Sequence, residues 1–142
     1  MPKLAVVYLS TQGSTKMMAE AISEGARERH VEVTVDNFFE WDPEEAASAD
    51  GIAVGSSTFN YTMHPPIAKF IDKMIDAGVE GKVGAAFGSY GWSGEAPDRI
   101  FDTMKNIFHM DMLSGPLRLK ATSLGGGIQM AQDYGRQVAA KL

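Results

Sequence analysis

No cysteine occurs in the 142 residues. That excludes disulfides, thiolate–zinc sites, cysteine-ligated iron–sulfur clusters and cysteine nucleophiles together. Any redox chemistry must therefore run on something other than sulfur. Basic residues are also in deficit, 13 against 18 acidic ones, for a formal net charge of −5. A chain of that sign is a poor general binder of nucleic acid, because phosphate neutralisation needs a basic surface. Long hydrophobic runs are missing too. The N-terminal apolar run, Leu4 to Leu9, is too short for a signal-peptide core or a membrane span, and a cytoplasmic location is expected. No internal repeat, linker or low-complexity tract interrupts the chain, so one domain over residues 1–142 is the simplest division. What is present is an ordinary globular balance, 44% hydrophobic and 22% charged residues, which excludes a largely disordered chain. The 15 glycines are clustered rather than spread.

Elements alternate along the sequence. Leu4-Ala5-Val6-Val7-Tyr8-Leu9 reads as a strand buried on both faces. Lys16 to Arg29 is helical, with Met18, Ile22, Gly25 and Ala26 on one side. Val31 to Val35 alternates, as a strand nearer the sheet edge does. Asp42-Pro43-Glu44-Glu45 is a helix start. Gly51 to Gly55 is a second buried strand. Pro65 or Pro66 opens a helix that Gly78 ends. Val83 to Phe87 is a further strand, Pro97 to His109 a helix, Leu117 to Ala121 a weak fifth strand and Ile128 to Leu142 the last helix. Five strands alternating with helices imply an α/β fold: a doubly wound, five-stranded parallel sheet of order 2-1-3-4-5. Ligands in such sheets sit beyond the carboxyl ends of the strands, at the switch point between strands 1 and 3.

Three loops lead to that edge. Ser10-Thr11-Gln12-Gly13-Ser14-Thr15 carries four hydroxyls and runs into a helix N-terminus. Unpaired N–H groups and a positive dipole end suit a phosphate there, and Gly13 allows a tight turn around it. The loop is neither a P-loop nor the GxGxxG fingerprint. The competing reading is that Ser14 or Thr15 merely caps the helix. The second loop, Gly55 to Thr62, sets Phe59 and Tyr61 among small polar residues; they either wall a flat ligand or cover the end of the sheet. The third, Gly88-Ser89-Tyr90-Gly91-Trp92-Ser93-Gly94, mixes glycine and serine with two aromatics, either as a ligand-approaching loop or as a turn with packing aromatics. The fold brings all three together: a phosphate cradle between two aromatic walls.

From end to end, the chain resembles flavodoxins. The Ser10–Thr15 loop matches the family's phosphate loop, [ST]-x-T-G-x-T, with Gln12 where Thr is usual, at the loss of one hydroxyl contact. Phe87-Gly88-Ser89-Tyr90-Gly91-Trp92-Ser93-Gly94 and Gly55-Ser56-Ser57-Thr58 look even more like the flavodoxin domain of flavodiiron (A-type) flavoproteins. The histidine and carboxylate cluster of a diiron domain is absent, and there are only three histidines. The long insertion of long-chain flavodoxins has no room here, so the chain is similar to the short-chain type. The resemblance implies a bound FMN. Ser10, Thr11, Gln12, Gly13, Ser14 and Thr15 would hold its phosphate. Ser57, Thr58, Phe59, Asn60 and Tyr61 would line one side of the isoalloxazine, and Gly88, Ser89, Tyr90, Gly91, Trp92 and Gly94 the other, with Trp92 or Tyr90 stacked on the ring. Asn60 stands where many flavodoxins have Gly. The family's peptide turns there to hydrogen-bond the reduced flavin N5; Asn would follow at an energetic cost, leaving the half-reduced flavin less stabilised. No catalytic residue and no metal ligand is expected.

A flavin does the redox chemistry while the protein tunes it. Stacking aromatics, the lack of Lys and Arg in the second and third loops, and acids at Glu95 and Asp98 all disfavour an anionic reduced flavin. A low second potential is expected. Six acids and no base lie from Asp36 to Asp50, either as a solvated surface or as a means of steering toward basic patches on redox partners. The favoured function is a monomeric, low-potential electron carrier between redox partner proteins. The alternative is an FMN-dependent NAD(P)H or quinone reductase, whose usual insertions are missing. A phospho-receiver would need carboxylates where Ser10-Thr11 and Ser56-Ser57 stand. His30 and His109 are expected to be exposed near element ends, His64 to be a loop residue, and the methionines to fill core gaps.

Overall fold

Alternation along β1 (Lys3–Leu9) sets the two layers of the core. Leu4, Val6 and Tyr8 point into one hydrophobic cluster, whereas Ala5 and Val7 point into the other. All five are buried, as befits a strand covered on both faces. The computed structural model describes residues 2–9, 13–37, 44, 48–56, 72, 74, 76, 78–90, 95–113, 115–120 and 124–142. The elements that follow are α1 (Gly13–Arg27), β2 (Glu32–Asn37), β3 (Gly51–Ser56), β4 (Val83–Tyr90), α2 (Glu95–Asn106), β5 (Asp111–Met112), β6 (Leu117–Lys120) and α3 (Leu124–Lys141). Glu44 and Ser48, and later Asp72, Met74 and Asp76, are also helical. The rest of the expected helix starts at Asp42 and Pro65 lies outside the described residues.

The sheet is parallel, in the expected order β2-β1-β3-β4-β5. β1 pairs β3 from Leu4↔Gly51 to Leu9↔Ser56, and β3 pairs β4 from Gly51↔Val83 to Gly55↔Phe87. β2 lies at the edge and is only half-buried, which is why its sequence alternates. Gly55 is required by its neighbour. A Cβ there would fall 2.1 Å from the ring of Phe87, a fully buried side chain with nowhere to go.

One helix layer is α1 and α3. Met18, Ile22 and Ala26 of α1 are buried with Ala131, Tyr134 and Val138 of α3, on the helical spacing that the sequence shows. The two helices run in the same direction: Gln132 Nε2 donates to Glu24 at 3.0 Å and Arg136 Nε to Glu28 at 2.6 Å, the same sequence separation each time. Their backbones nearly touch. A Cβ on Gly25 would sit 1.9 Å from the Gln132 carbonyl oxygen, and one on Gly135 would sit 2.0 Å from that of Ile22. Only glycine permits this approach. The opposite layer buries Met74, Val79, Ile100, Met104 and Phe108 against Ala5, Val7, Ile52, Val54 and Ala86. Of the methionines, Met18, Met74, Met104 and Met110 are core, but Met17 and Met130 are exposed. His30 and His109 are exposed at helix ends, both with left-handed backbone (φ 61° and 54°), a conformation in which His is commoner than most non-glycine residues.

Several boundaries differ from the expected ones: β2 spans Glu32–Asn37 rather than Val31 to Val35, α2 spans Glu95–Asn106 rather than Pro97 to His109, and three further differences lie at the carboxyl edge. α1 begins at Gly13 rather than Lys16, so Gly13, Ser14 and Thr15 form its first turn instead of a loop. α3 begins at Leu124, taking Gly125-Gly126-Gly127 into its first turn. First-turn N–H groups have no intrahelical acceptor in any helix, so weak helix formers cost least there. β4 runs on to Tyr90. Gly88 and Ser89 are poor strand formers by themselves, yet β6 supplies a ladder for them, from Phe87↔Leu117 to Tyr90↔Lys120.

The fifth strand position is where the sheet departs most from a five-stranded plan. Two short pieces, β5 and β6, share the outer side of β4. Four residues separate Met112 from Leu117, but only two separate their partners, Gly84 and Phe87. The outer strand therefore bulges by two residues, around Gly115-Pro116. A proline has no N–H for a ladder, which suits it to an edge-strand irregularity.

Candidate functional site

Register fixes the shape of the carboxyl edge. Leu9 and Ser56 end β1 and β3 at one level. Gly88 of β4 lies at that level too, because the last β3–β4 pair is Gly55↔Phe87. Ser89 and Tyr90 rise two residues further, about 7 Å at the usual rise of a parallel strand. Only β6 accompanies them, ending at Lys120. Among the described residues, β4 beyond Phe87 has no strand partner on its β3 side. The result is a step, with β1 and β3 as its floor and the β4–β6 pair as its wall.

At the floor, α1 starts at Gly13, three residues after Leu9 leaves β1. Thr15, in that first turn, is fully buried, and so is Ser56 at the end of β3. Lys16 is exposed in the same turn. Ser10-Thr11-Gln12, which connect β1 and α1, lie outside the described residues, so the groups described at this corner are helix N-terminal N–H groups and the Thr15 hydroxyl, with Lys16 beside them. That donor set fits a phosphate held chiefly by neutral dipoles. On the wall, peptide groups of β4 that turn toward β3 have no ladder above Phe87 among the described residues. They fit the hydrogen-bonding edge of a planar heterocycle standing on the floor.

Of the residues expected at a cofactor site, the structure brings six to this edge. Gly13, Ser14 and Thr15 are at the start of α1, and Gly88, Ser89 and Tyr90 are at the end of β4. All six belong to regular elements, although the first loop was expected to include Gly13 to Thr15 and the third to begin at Gly88. Ser10, Thr11, Gln12, Ser57, Thr58, Phe59, Asn60, Tyr61, Gly91, Trp92 and Gly94 lie outside the described residues. A polar group that sequence reasoning missed is Tyr134 of α3. Its hydroxyl lies 3.1 Å from the Ala86 carbonyl oxygen and 2.9 Å from that of Gly115. The signal was available: a tyrosine on the buried stripe of a helix must find a partner for its hydroxyl.

Among the described residues, no helix is long and apolar enough to cross a membrane. The fold is a doubly wound α/β sheet, a class in which ligands sit at the switch point, here between β1 and β3. Comparison with known proteins makes this specific. The flavodoxin family model matches residues 6–134, and the chain belongs to the flavodoxin family, whose members bind FMN and transfer electrons to redox partner proteins. It is similar over 98% of its length to the structure of a flavodoxin from the domain Archaea, at 43% identity and a TM-score of 0.90, covering 97% of that chain. It is also similar to the flavodiiron protein from Giardia intestinalis, at 25% identity and a TM-score of 0.90, covering 36% of that chain. Among curated proteins, 96% of the chain aligns at 34% identity with 28% of an anaerobic nitric oxide reductase flavorubredoxin from Vibrio vulnificus. A type A flavoprotein from Rhodobacter capsulatus aligns at 34% identity over 98% of the chain and 33% of its own length. The chain thus spans about a third or less of these curated relatives.

Proposed function

We propose that residues 1–142 form one domain that acts as a low-potential, FMN-dependent electron carrier between partner proteins. The observation that carries this reading is the stepped edge. The N-terminus of α1 and the ends of β1 and β3 meet at its floor, and Ser89-Tyr90 stand above them. FMN, when bound, supplies one- and two-electron redox chemistry. Ser10, Thr11, Gln12, Gly13, Ser14 and Thr15 hold the phosphate by hydroxyl and backbone N–H donation, with Lys16 as the only nearby base. Ser57, Thr58, Phe59, Asn60 and Tyr61 line one side of the ring. Gly88, Ser89, Tyr90, Gly91, Trp92 and Gly94 line the other, where an aromatic face excludes water. Neither of these two segments contains Lys or Arg, so no side-chain cation there would offset negative charge on a bound flavin, and a low second potential is expected. The relatives named as nitric oxide reductases are about three and a half times as long as this chain, and their reaction is no part of this proposal.

The absorbance spectrum of the purified protein, followed by titration with FMN, tests the reading. Flavin bands and tight, saturable uptake are expected; a colourless protein indifferent to added FMN overturns it. Steady NAD(P)H oxidation by the protein alone would point instead to a reductase. A redox titration should resolve two steps, the second below the potential of free FMN, and a single two-electron wave at the free-FMN potential overturns the low-potential assignment. We take a cytoplasmic monomer with acidic residues from Asp36 to Asp50 as the working form, docking on basic partner surfaces. Reduction rates of such a partner should then fall steeply with added salt.

A further inference from the structure

We infer that Tyr134 is a positioning residue for the flavin-binding end of β4, acting through the register of β6; the inference rests on the FMN reading above. The outer ladder of β4 starts regularly. Asp111 N–H donates to the Lys82 carbonyl at 2.8 Å and Leu113 N–H to that of Gly84 at 3.1 Å. The next carbonyl facing this side, two residues on, is that of Ala86. A continuous strand would offer it the N–H of residue 115; after the two-residue bulge the ladder resumes at Phe87↔Leu117, so the Leu117 N–H faces it instead. The Tyr134 hydroxyl adds a second donor to the Ala86 oxygen, at 3.1 Å, and lies 2.9 Å from the Gly115 oxygen. One proton thus serves a carbonyl on each side of the break and ties the bulge to β4. Burial keeps water from taking over this task, since Tyr134 is 6% exposed. Burial also pushes its phenol well above the usual tyrosine range, so it stays a neutral donor.

Phe87 follows Ala86 directly, and the ladder resumes there with β6. Where it resumes decides which β6 residues back Ser89 and Tyr90, because a slip of one residue exchanges the two faces of β6. β6 is the only strand beside this part of β4 among the described residues, so the tie at Ala86 and Gly115 is what sets its register.

The experiment compares the intact chain with Tyr134→Phe and with Val138→Ala, a truncation one turn further along α3 at a fully buried core position. Each is titrated with FMN and with riboflavin, which lacks the phosphate. Tyr134→Phe should weaken both flavins by the same factor, about five- to tenfold, because β4 bears on the ring and α1 on the phosphate; that range is of the size a buried hydrogen bond supports. Val138→Ala should lower the melting temperature and leave both affinities within twofold. Unchanged flavin affinity in Tyr134→Phe overturns the proposal, as does weakening confined to FMN or equal weakening by Val138→Ala. A wild-type chain that binds neither flavin overturns the FMN reading, and this proposal with it. If Tyr134→Phe does not fold, amide exchange in the wild type decides. Coupling is reciprocal, so FMN must slow exchange over residues 115–120 more than at Asp111 and Met112. Equal slowing, or none, overturns the proposal.

Discussion

Two contacts made by neighbouring residues of one helix differ sharply in what they tolerate. At Gly135, α3 presses its backbone on α1, and there is no room for a single added carbon. At Tyr134, α3 reaches across a break in the outer strand and ties together a carbonyl on each side of it. The α1–α3 seam is therefore rigid in distance, while the β5–β6 edge is permissive in length. The reason is topological. The seam is enclosed between two helices and the sheet, so nothing around it can yield. Among the described residues the outer strand has one free side, so two extra residues can leave the ladder while a side chain ties down the carbonyls beside them. The contacts are also linked: the seam sets how near α3 lies to the sheet, and hence whether the Tyr134 hydroxyl reaches Ala86.

The strongest test of the contrast is Gly135→Ala. The new Cβ would meet the Ile22 carbonyl oxygen at 2.0 Å, a backbone atom that cannot rotate away. The helices must separate, and a loss of about 3 kcal/mol or more is expected in urea unfolding, at the upper end of overpacking costs. A near-neutral result would show that the seam is looser than this geometry requires. Because separation also draws Tyr134 from Ala86, the losses from Gly135→Ala and Tyr134→Phe should sum to more than the double variant loses.

Tyr134→Phe comes next in size. It removes the hydroxyl that bridges the Ala86 and Gly115 oxygens, a cost of about 0.5–1.5 kcal/mol. A value near zero in the same denaturant assay would mean that the edge needs no such tie. Gly115→Ala completes the contrast. An added Cβ there meets nothing within 4 Å, and the backbone is not left-handed. The substitution is expected to lie within about 0.5 kcal/mol of neutral, or to stabilise slightly by restricting the unfolded chain. One chemical change, glycine to alanine, thus separates seam from edge by several kcal/mol. Equal losses at residues 135 and 115 would dissolve the distinction.

How much of this was legible beforehand follows the same division. The continuous apolar run of β1, the alternation of β2 and the helical spacing of Met18, Ile22 and Ala26 are local patterns, and they reported layers and order correctly. The boundaries at Gly13, Tyr90 and Leu124 were not local. Glycines and serines read as loop on propensity alone, but a helix N-terminus tolerates them and a partner strand holds them. The break in the fifth strand could not be read at all, because it is defined by the register of β4, thirty residues earlier. At the candidate site, residue types announced phosphate and aromatic chemistry at a strand edge. The height of β4 above that edge came only from pairing.

Ionic contacts across the seam supply the smallest effect, and their sign can be fixed. Arg136 bonds Glu28 at 2.6 Å and also contacts Asp133. The hydrogen bond from Arg136 holds the Glu28 carboxyl below its ordinary value of 4.5. A carboxyl depressed in the folded state contributes stability above its unfolded pKa, and loses it as the pH falls through the folded one. The window therefore lies at and below about pH 4.5, and the contribution is fully present at neutral pH. Both side chains are open to solvent, so salt screens the pair and its share is minor. Glu28→Gln should accordingly reduce the fall in melting temperature between pH 5 and pH 3, with little change at pH 7 in high salt. Were the acid-induced fall identical in the variant, the Arg136–Glu28 pair would contribute nothing to the seam. That outcome would sharpen the comparison further, leaving the rigidity between α1 and α3 to backbone proximity and the apolar packing around it.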